Sequence, residues 1–111
     1  MSTLSDRTLG EMVEAVVKEV DPERVYLFGS HARGEGKERS DVDLLVVERD
    51  PFGPTRIRRA EMVRPWQTLA RFRVAKDILV FSVDEVEQWG SGRNHVIAHA
   101  LREGRLLYER P

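Results

Sequence analysis

Two apolar runs, DLLVV at 43–47 and DILVF at 77–81, are each opened by an aspartate and continue with aliphatic or aromatic residues alone. They lie in VDLLVV at 42–47, which reads as a largely buried strand, and KDILVFS at 76–82, which reads as the next strand. The stretch between them, 54–72, carries Ile57, Ala60, Val63, Leu69 and Ala70 at helical spacing. Two buried strands joined by a helix are predicted to lie parallel and side by side, linked by a right-handed crossover. The pairing would bring both aspartates to the same end of the sheet.

The rest of the chain supplies the layers around this unit. Ser5 is placed to cap a helix whose apolar positions are Leu9, Met12, Val13, Val16, Val17 and Val20, and Asp21-Pro22 ends it. RVYLF at 24–28 reads as a strand running into a tight turn at Gly29-Ser30, with one helical turn over 30–34 and a polar loop from Gly34 to Ser40. Pro54 is predicted to start the crossover helix, and Pro65 to kink or split it. DEVEQW reads as a short acidic helical segment broken by Gly90 and Gly92. A last helix over about 94–103 stops at Gly104, and RLLYE would add a short edge strand. The expected architecture is α/β (α+β): one domain over 1–111, a small mixed β-sheet with helices packed on it.

Composition narrows the chemistry. There are no cysteines, which removes disulfides, thiolate metal sites and thiol nucleophiles. Any metal would be held by oxygen or imidazole. The net charge of -1 argues against a protein whose main role is to coat nucleic acid. No apolar run approaches the roughly 20 residues of a membrane span, so the expected location is the cytoplasm.

The residues that carry chemistry lie in YLFGSHARGEGKERSDVDLLVV, 26–47, where ten residues separate Gly29-Ser30 from Asp41-Val42-Asp43. Alternation along a strand puts Asp41 and Asp43 on one face. Asp77 opens its own strand as Asp43 does, so the three carboxylates are expected to converge. Two such charges 4 Å apart repel by about 1 to 4 kcal/mol, so the cluster calls for a cation, and oxygen ligation points to Mg²⁺ or Mn²⁺. For Gly29-Ser30 to reach them, the first strand must run antiparallel to the second. Gly29 then permits close backbone approach, the amides opening at Ser30 form an anion nest, and Arg33 lies within reach of a phosphate. A phosphate cradle facing paired metal ions is the layout for in-line phosphoryl or nucleotidyl displacement. Ser-Asp is also ordinary turn chemistry. The DxD pattern occurs in phosphatases and glycosyltransferases too, but there it typically follows a strand and here it opens one.

The run GSHARG, its spacing to Asp41-Val42-Asp43, and Asp77 on a following strand together resemble the signature of the DNA polymerase beta-like nucleotidyltransferase superfamily. The length is similar to that of its minimal (MNT) group. The resemblance implies catalysis and Mg²⁺ binding, as two ions, at Asp41, Asp43 and Asp77, and nucleotide binding at Gly29, Ser30 and Arg33. It also implies a partner. Many minimal nucleotidyltransferases pair with a separate helical HEPN protein as antitoxin and toxin, and some such antitoxins transfer AMP from ATP to a tyrosine of their toxin. The other readings are neutralisation by contact alone with a vestigial site, and transfer to a small molecule such as an aminoglycoside, for which a homodimer would supply the acceptor pocket.

Three further groups of residues are expected to be structural. Arg56, Arg58, Arg59, Arg64, Arg71 and Arg73 read as a solvated helix face laced with charge. His95 and His99 share a helix face but lack a third ligand for a metal. Trp66, Trp89 and Tyr108 read as core or interface residues and not as platforms for a base.

Overall fold

A computed structural model of the chain describes residues 5–29, 31–32, 41–90, 92 and 95–111. The elements in chain order are α1 (Asp6–Val20), β1 (Arg24–Phe28), β2 (Val42–Glu48), α2 (Arg58–Leu69), β3 (Lys76–Ser82), α3 (Val83–Trp89), α4 (Val96–Glu103) and β4 (Arg105–Glu109). Ser5 caps α1 by accepting the Thr8 amide at 3.0 Å. At the other end Asp21 takes a left-handed conformation, with φ 53°, and donates its amide to the Val17 carbonyl. Asp tolerates this region better than most residues, and Pro22 then bars further helix.

The sheet order is β3-β2-β1-β4. β2 and β3 are parallel, in a register that sets Asp43 beside Asp77 and Leu44 beside Ile78. β1 is antiparallel to β2, with Phe28 opposite Asp43. RLLYE forms β4, the edge strand expected from its sequence, paired antiparallel to β1 with an irregularity at Val25/Tyr26.

Strand alternation divides the core into two layers. Val25, Leu27, Val42, Leu44, Val46, Ile78 and Val80 face α1 and α2, meeting Leu9, Met12, Val16 and Leu69. Leu45 and Val47 face the other way, with Tyr26, Phe28, Leu79 and Phe81, and meet Val86 of α3 and Ile97 and Ala100 of α4. β2 is thus covered on both faces, which accounts for its unbroken apolar run. Gly104 joins α4 to β4 where a Cβ would collide with the Ala100 carbonyl of α4 and stand 3.0 Å from the Leu27 carbonyl of β1, so the glycine is required by close approach of both backbones.

α2 departs from expectation in two ways. It begins at Arg58, not at Pro54, because Gly53 and Arg56 close a turn by exchanging backbone hydrogen bonds of 2.9 and 3.2 Å with Pro54 inside it. It runs unbroken through Pro65, whose ring is buried. Of the apolar residues at its helical spacing, Ile57, the N-cap, is 61% exposed and Val63 46%. The last helix starts at Val96 because the His95 ring caps it, Nδ1 accepting the Ile97 amide at 3.1 Å. Among the described residues no helix is long and apolar enough to cross a membrane.

Candidate active site

β1 delivers Gly29 to the end of the sheet at which β2 and β3 begin, because it runs antiparallel to β2. Phe28 lies in the layer facing α3 and α4, and residues directly opposite on paired strands share a face. Asp43, opposite Phe28, and Asp77, beside Asp43, therefore take that same face. Asp41 joins them by alternation about buried Val42, whose amide binds the Ala75 carbonyl at 2.8 Å. Asp43 is half-buried, whereas Asp41 and Asp77 are exposed.

Gly29 is fixed by two independent constraints. Its φ of +75° belongs to the left-handed region, and a Cβ built there would collide with Asp43 Oδ2 and stand 3.1 Å from its Cγ. The Asp43 carboxylate thus lies directly against the Gly29 backbone. Ser30 and Arg33, expected to bind triphosphate, lie outside the described residues, as do the polar loop and most of the expected helical turn. Of that turn, Ala32 is described and packs against the α1 layer.

The strands bring Asp41, Asp43 and Asp77 to one sheet end, but among the described residues no three His, Cys, Asp or Glu side chains are gathered as a formed metal cage. Repulsion between bare carboxylates works against closer approach. The donor set is all oxygen, and the Gly29 cradle leaves the Asp43 carboxylate room that any side chain would fill. Both features fit a hard divalent cation with Asp41, Asp43 and Asp77 as its ligands.

The strongest electrostatic perturbation lies elsewhere. Glu48 ends β2, about 16 Å along the strand from Asp43 at ~3.3 Å per residue. It is 4% exposed, and its carboxyl is pushed up to about 7 by burial and then by the neighbouring Glu61, with Arg56 pulling the other way. Arg56 pairs with Glu48 and lies over Phe52, 4.5 Å from the ring centroid. Arg58 forks onto Glu85, donates to the Val80 carbonyl at 2.8 Å and stacks on Phe52 and Phe81. The Arg58 guanidinium holds the Glu85 carboxyl below its ordinary value. These arginines tie the crossover loop to the sheet, so for Arg56 and Arg58 the expected solvated face is corrected to partly buried ion pairing. Their glutamate partners lie 8 and 27 residues away, and local sequence carries no signal for them.

His95, His99 and Tyr108 make contacts within the fold, whereas Trp66 and Trp89 are 38% and 43% exposed. His95 stacks on Trp89 with ring centroids 5.0 Å apart, His99 Nδ1 meets Arg102 at 3.1 Å, and Tyr108 packs on the α1 layer.

The comparisons agree with this geometry. A family model described as a nucleotidyltransferase domain matches residues 9–81, which include Gly29, Asp41, Asp43 and Asp77. A Methanocaldococcus jannaschii protein named as a candidate protein adenylyltransferase is 33% identical over 79 residues, covering 61% of this chain and 75% of that protein. The crystal structure of a candidate nucleotidyltransferase from Sulfolobus solfataricus superposes with a TM-score of 0.58 at 26% identity, over 92% of this chain and 78% of that one. A toxin-antitoxin crystal structure with AMP-PNP shares the fold, with a TM-score of 0.57 at 16% identity over 91% of this chain and 73% of that one. With the family model spanning more than half of its length, and an antiparallel β1 presenting Gly29 to the aspartate end of β2 and β3, this chain belongs to the nucleotidyltransferase-domain family and is a nucleotidyltransferase enzyme.

Proposed function

We propose that the chain transfers AMP from ATP to a tyrosine hydroxyl of a partner protein, a helical HEPN-type toxin, and so acts as its antitoxin. The observation that carries the reading is the contact of the Asp43 carboxylate with the Gly29 backbone, with Asp77 in register alongside. Asp41, Asp43 and Asp77 would hold Mg²⁺, which supplies charge neutralisation at the phosphates and polarisation of the acceptor hydroxyl. Gly29 admits the triphosphate close to the backbone, and Ser30 and Arg33 would bind its oxygens. The acceptor oxygen bonds to the α-phosphorus, the bond from that phosphorus to the bridging oxygen breaks, and pyrophosphate leaves. Asp77, exposed at the sheet end, would take the acceptor proton. The Methanocaldococcus relative, named as a candidate protein adenylyltransferase, and the toxin-antitoxin neighbour with AMP-PNP support a protein acceptor.

The test is to incubate the chain, its partner and Mg²⁺ with ATP labelled at the α- or the γ-phosphate. The expected result is α-label on the partner, a mass gain of one AMP per modified tyrosine, and no γ-label. Transfer of γ-label would make the reaction a phosphorylation, and neutralisation of the toxin by Asp43→Asn without any label would make the chain a binding module.

A further inference from the structure

α2 has two apolar faces. Pro65 and Leu69 are buried, and Met62 and Leu69 pack into the layer shared with α1. The other face looks outward, with Ile57 61%, Val63 46% and Trp66 38% exposed. These residues, with Arg59, Met62 and Ala70, line a shallow open groove of about 1120 Å³ along α2, bounded by residues 57–70 alone. Arg59, Val63, Trp66 and Ala70 fall at i, i+4, i+7 and i+11, a single stripe ~17 Å long at 1.5 Å per residue.

The charge around the groove is one-sided. Residues 56–73 contain six arginines and one glutamate in a chain whose net charge is -1. Arg56, Arg58 and Arg64 are engaged by Glu48, Glu85 and Glu61. Arg59, in the groove wall, and Arg73 make no ion pair among the described residues.

We infer that this groove seats a helix of another protein, apolar along one stripe and bordered by carboxylates. A second copy of the chain fits poorly. Two α2 faces brought together would oppose arginine to arginine, and the other large apolar residues that stand exposed, Trp89, Val96 and Leu106, belong to α3, α4 and β4. Nucleic acid fits poorly as well, since the wall is mainly aliphatic and aromatic, with Arg59 its one cation outside an ion pair among the described residues. A helix laid in an apolar groove with a charged border is a recurrent mode of protein recognition. α2 lies across the sheet from the face that carries Asp43, so a docked helix leaves the candidate nucleotide site open. The inference rests on the proposal that the acceptor is a protein, but its test reads binding and not nucleotide transfer.

The chain has two tryptophans, so Trp89→Phe leaves Trp66 as the reporter. The probe is a synthetic helical peptide of about four turns with leucines at i, i+3, i+4 and i+7 flanked by glutamates; its control carries lysines in place of the glutamates. The glutamate peptide is expected to shift Trp66 emission to the blue in a saturable way. Arg59→Glu should weaken binding roughly tenfold, and Val63→Glu, at an exposed position, should abolish it. Asp43→Asn should bind the peptide like the parent, which separates this inference from the catalytic reading. Absence of a shift, equal binding of the lysine peptide, a Trp66 shift produced by a single-stranded oligonucleotide, or self-association of the free chain that Val63→Glu abolishes would each overturn it.

Discussion

Gly29 and Glu48 mark opposite ends of β2's neighbourhood, and each poses a sharp question for a single substitution. At Gly29, alanine would add both a strained positive φ and a collision with the Asp43 carboxylate. Gly29→Ala is therefore expected to lower stability by about 1–3 kcal/mol and to remove nucleotide transfer, measured by urea denaturation and by labelled ATP. Glu48 makes a prediction about pH. Its carboxyl titrates near 7 in the folded chain, above the ordinary 4.5, because burial and Glu61 disfavour the charge more than Arg56 favours it. The folded state then binds more protons than the unfolded state between those values, so stability falls as pH rises from about 4.5 to about 7. The expected span is on the order of 1–3 kcal/mol, and Glu48→Gln should flatten the slope in thermal melts across that range. Glu85 acts in the opposite sense. Its carboxyl is lowered by Arg58, so its contribution is present above 4.5 and is lost as pH falls below it.

Among the elements, α3 shows how local chemistry sets a boundary. Ser82 ends β3 and caps α3, accepting the Glu85 amide at 3.4 Å while Glu85 accepts the Ser82 amide at 3.0 Å. Ser82→Ala should cost about 1 kcal/mol in urea denaturation without reducing nucleotide transfer, because the cap lies at the far end of β3 from Asp77. The strands were readable nearly to the residue, since β-branched and apolar runs between turn residues have few other interpretations. The relation of Gly29 to Asp43 and Asp77 followed from strand direction alone. α2 was read less well. Pro54 is a sound helix-start signal, but here a Gly53–Arg56 turn uses it. A helix apolar on two faces also gives a periodicity that cannot say which face is covered: Leu69 is buried, whereas Ile57 and Val63 are exposed. The ion pairs of Arg56 and Arg58 depend on partners that only the fold brings near.

Across the whole molecule, function follows from mixing strand directions. In an all-parallel sheet the end of β1 would lie at the opposite end from the starts of β2 and β3. The antiparallel β1 instead brings a chain reversal with a glycine to the two aspartate-led strands, while the crossover through α2 leaves an arginine-bordered groove on the other side of the sheet. In the proposed reaction Asp43, seated on Gly29 and flanked by Asp41 and Asp77, carries Mg²⁺-dependent nucleotide transfer. Its most direct test compares the parent and Asp43→Asn for the rate at which α-label passes from ATP to the partner with Mg²⁺ present, after circular dichroism has shown that both are folded. The account predicts a loss of at least ~100-fold. Transfer by the folded variant at the parent's rate would contradict it.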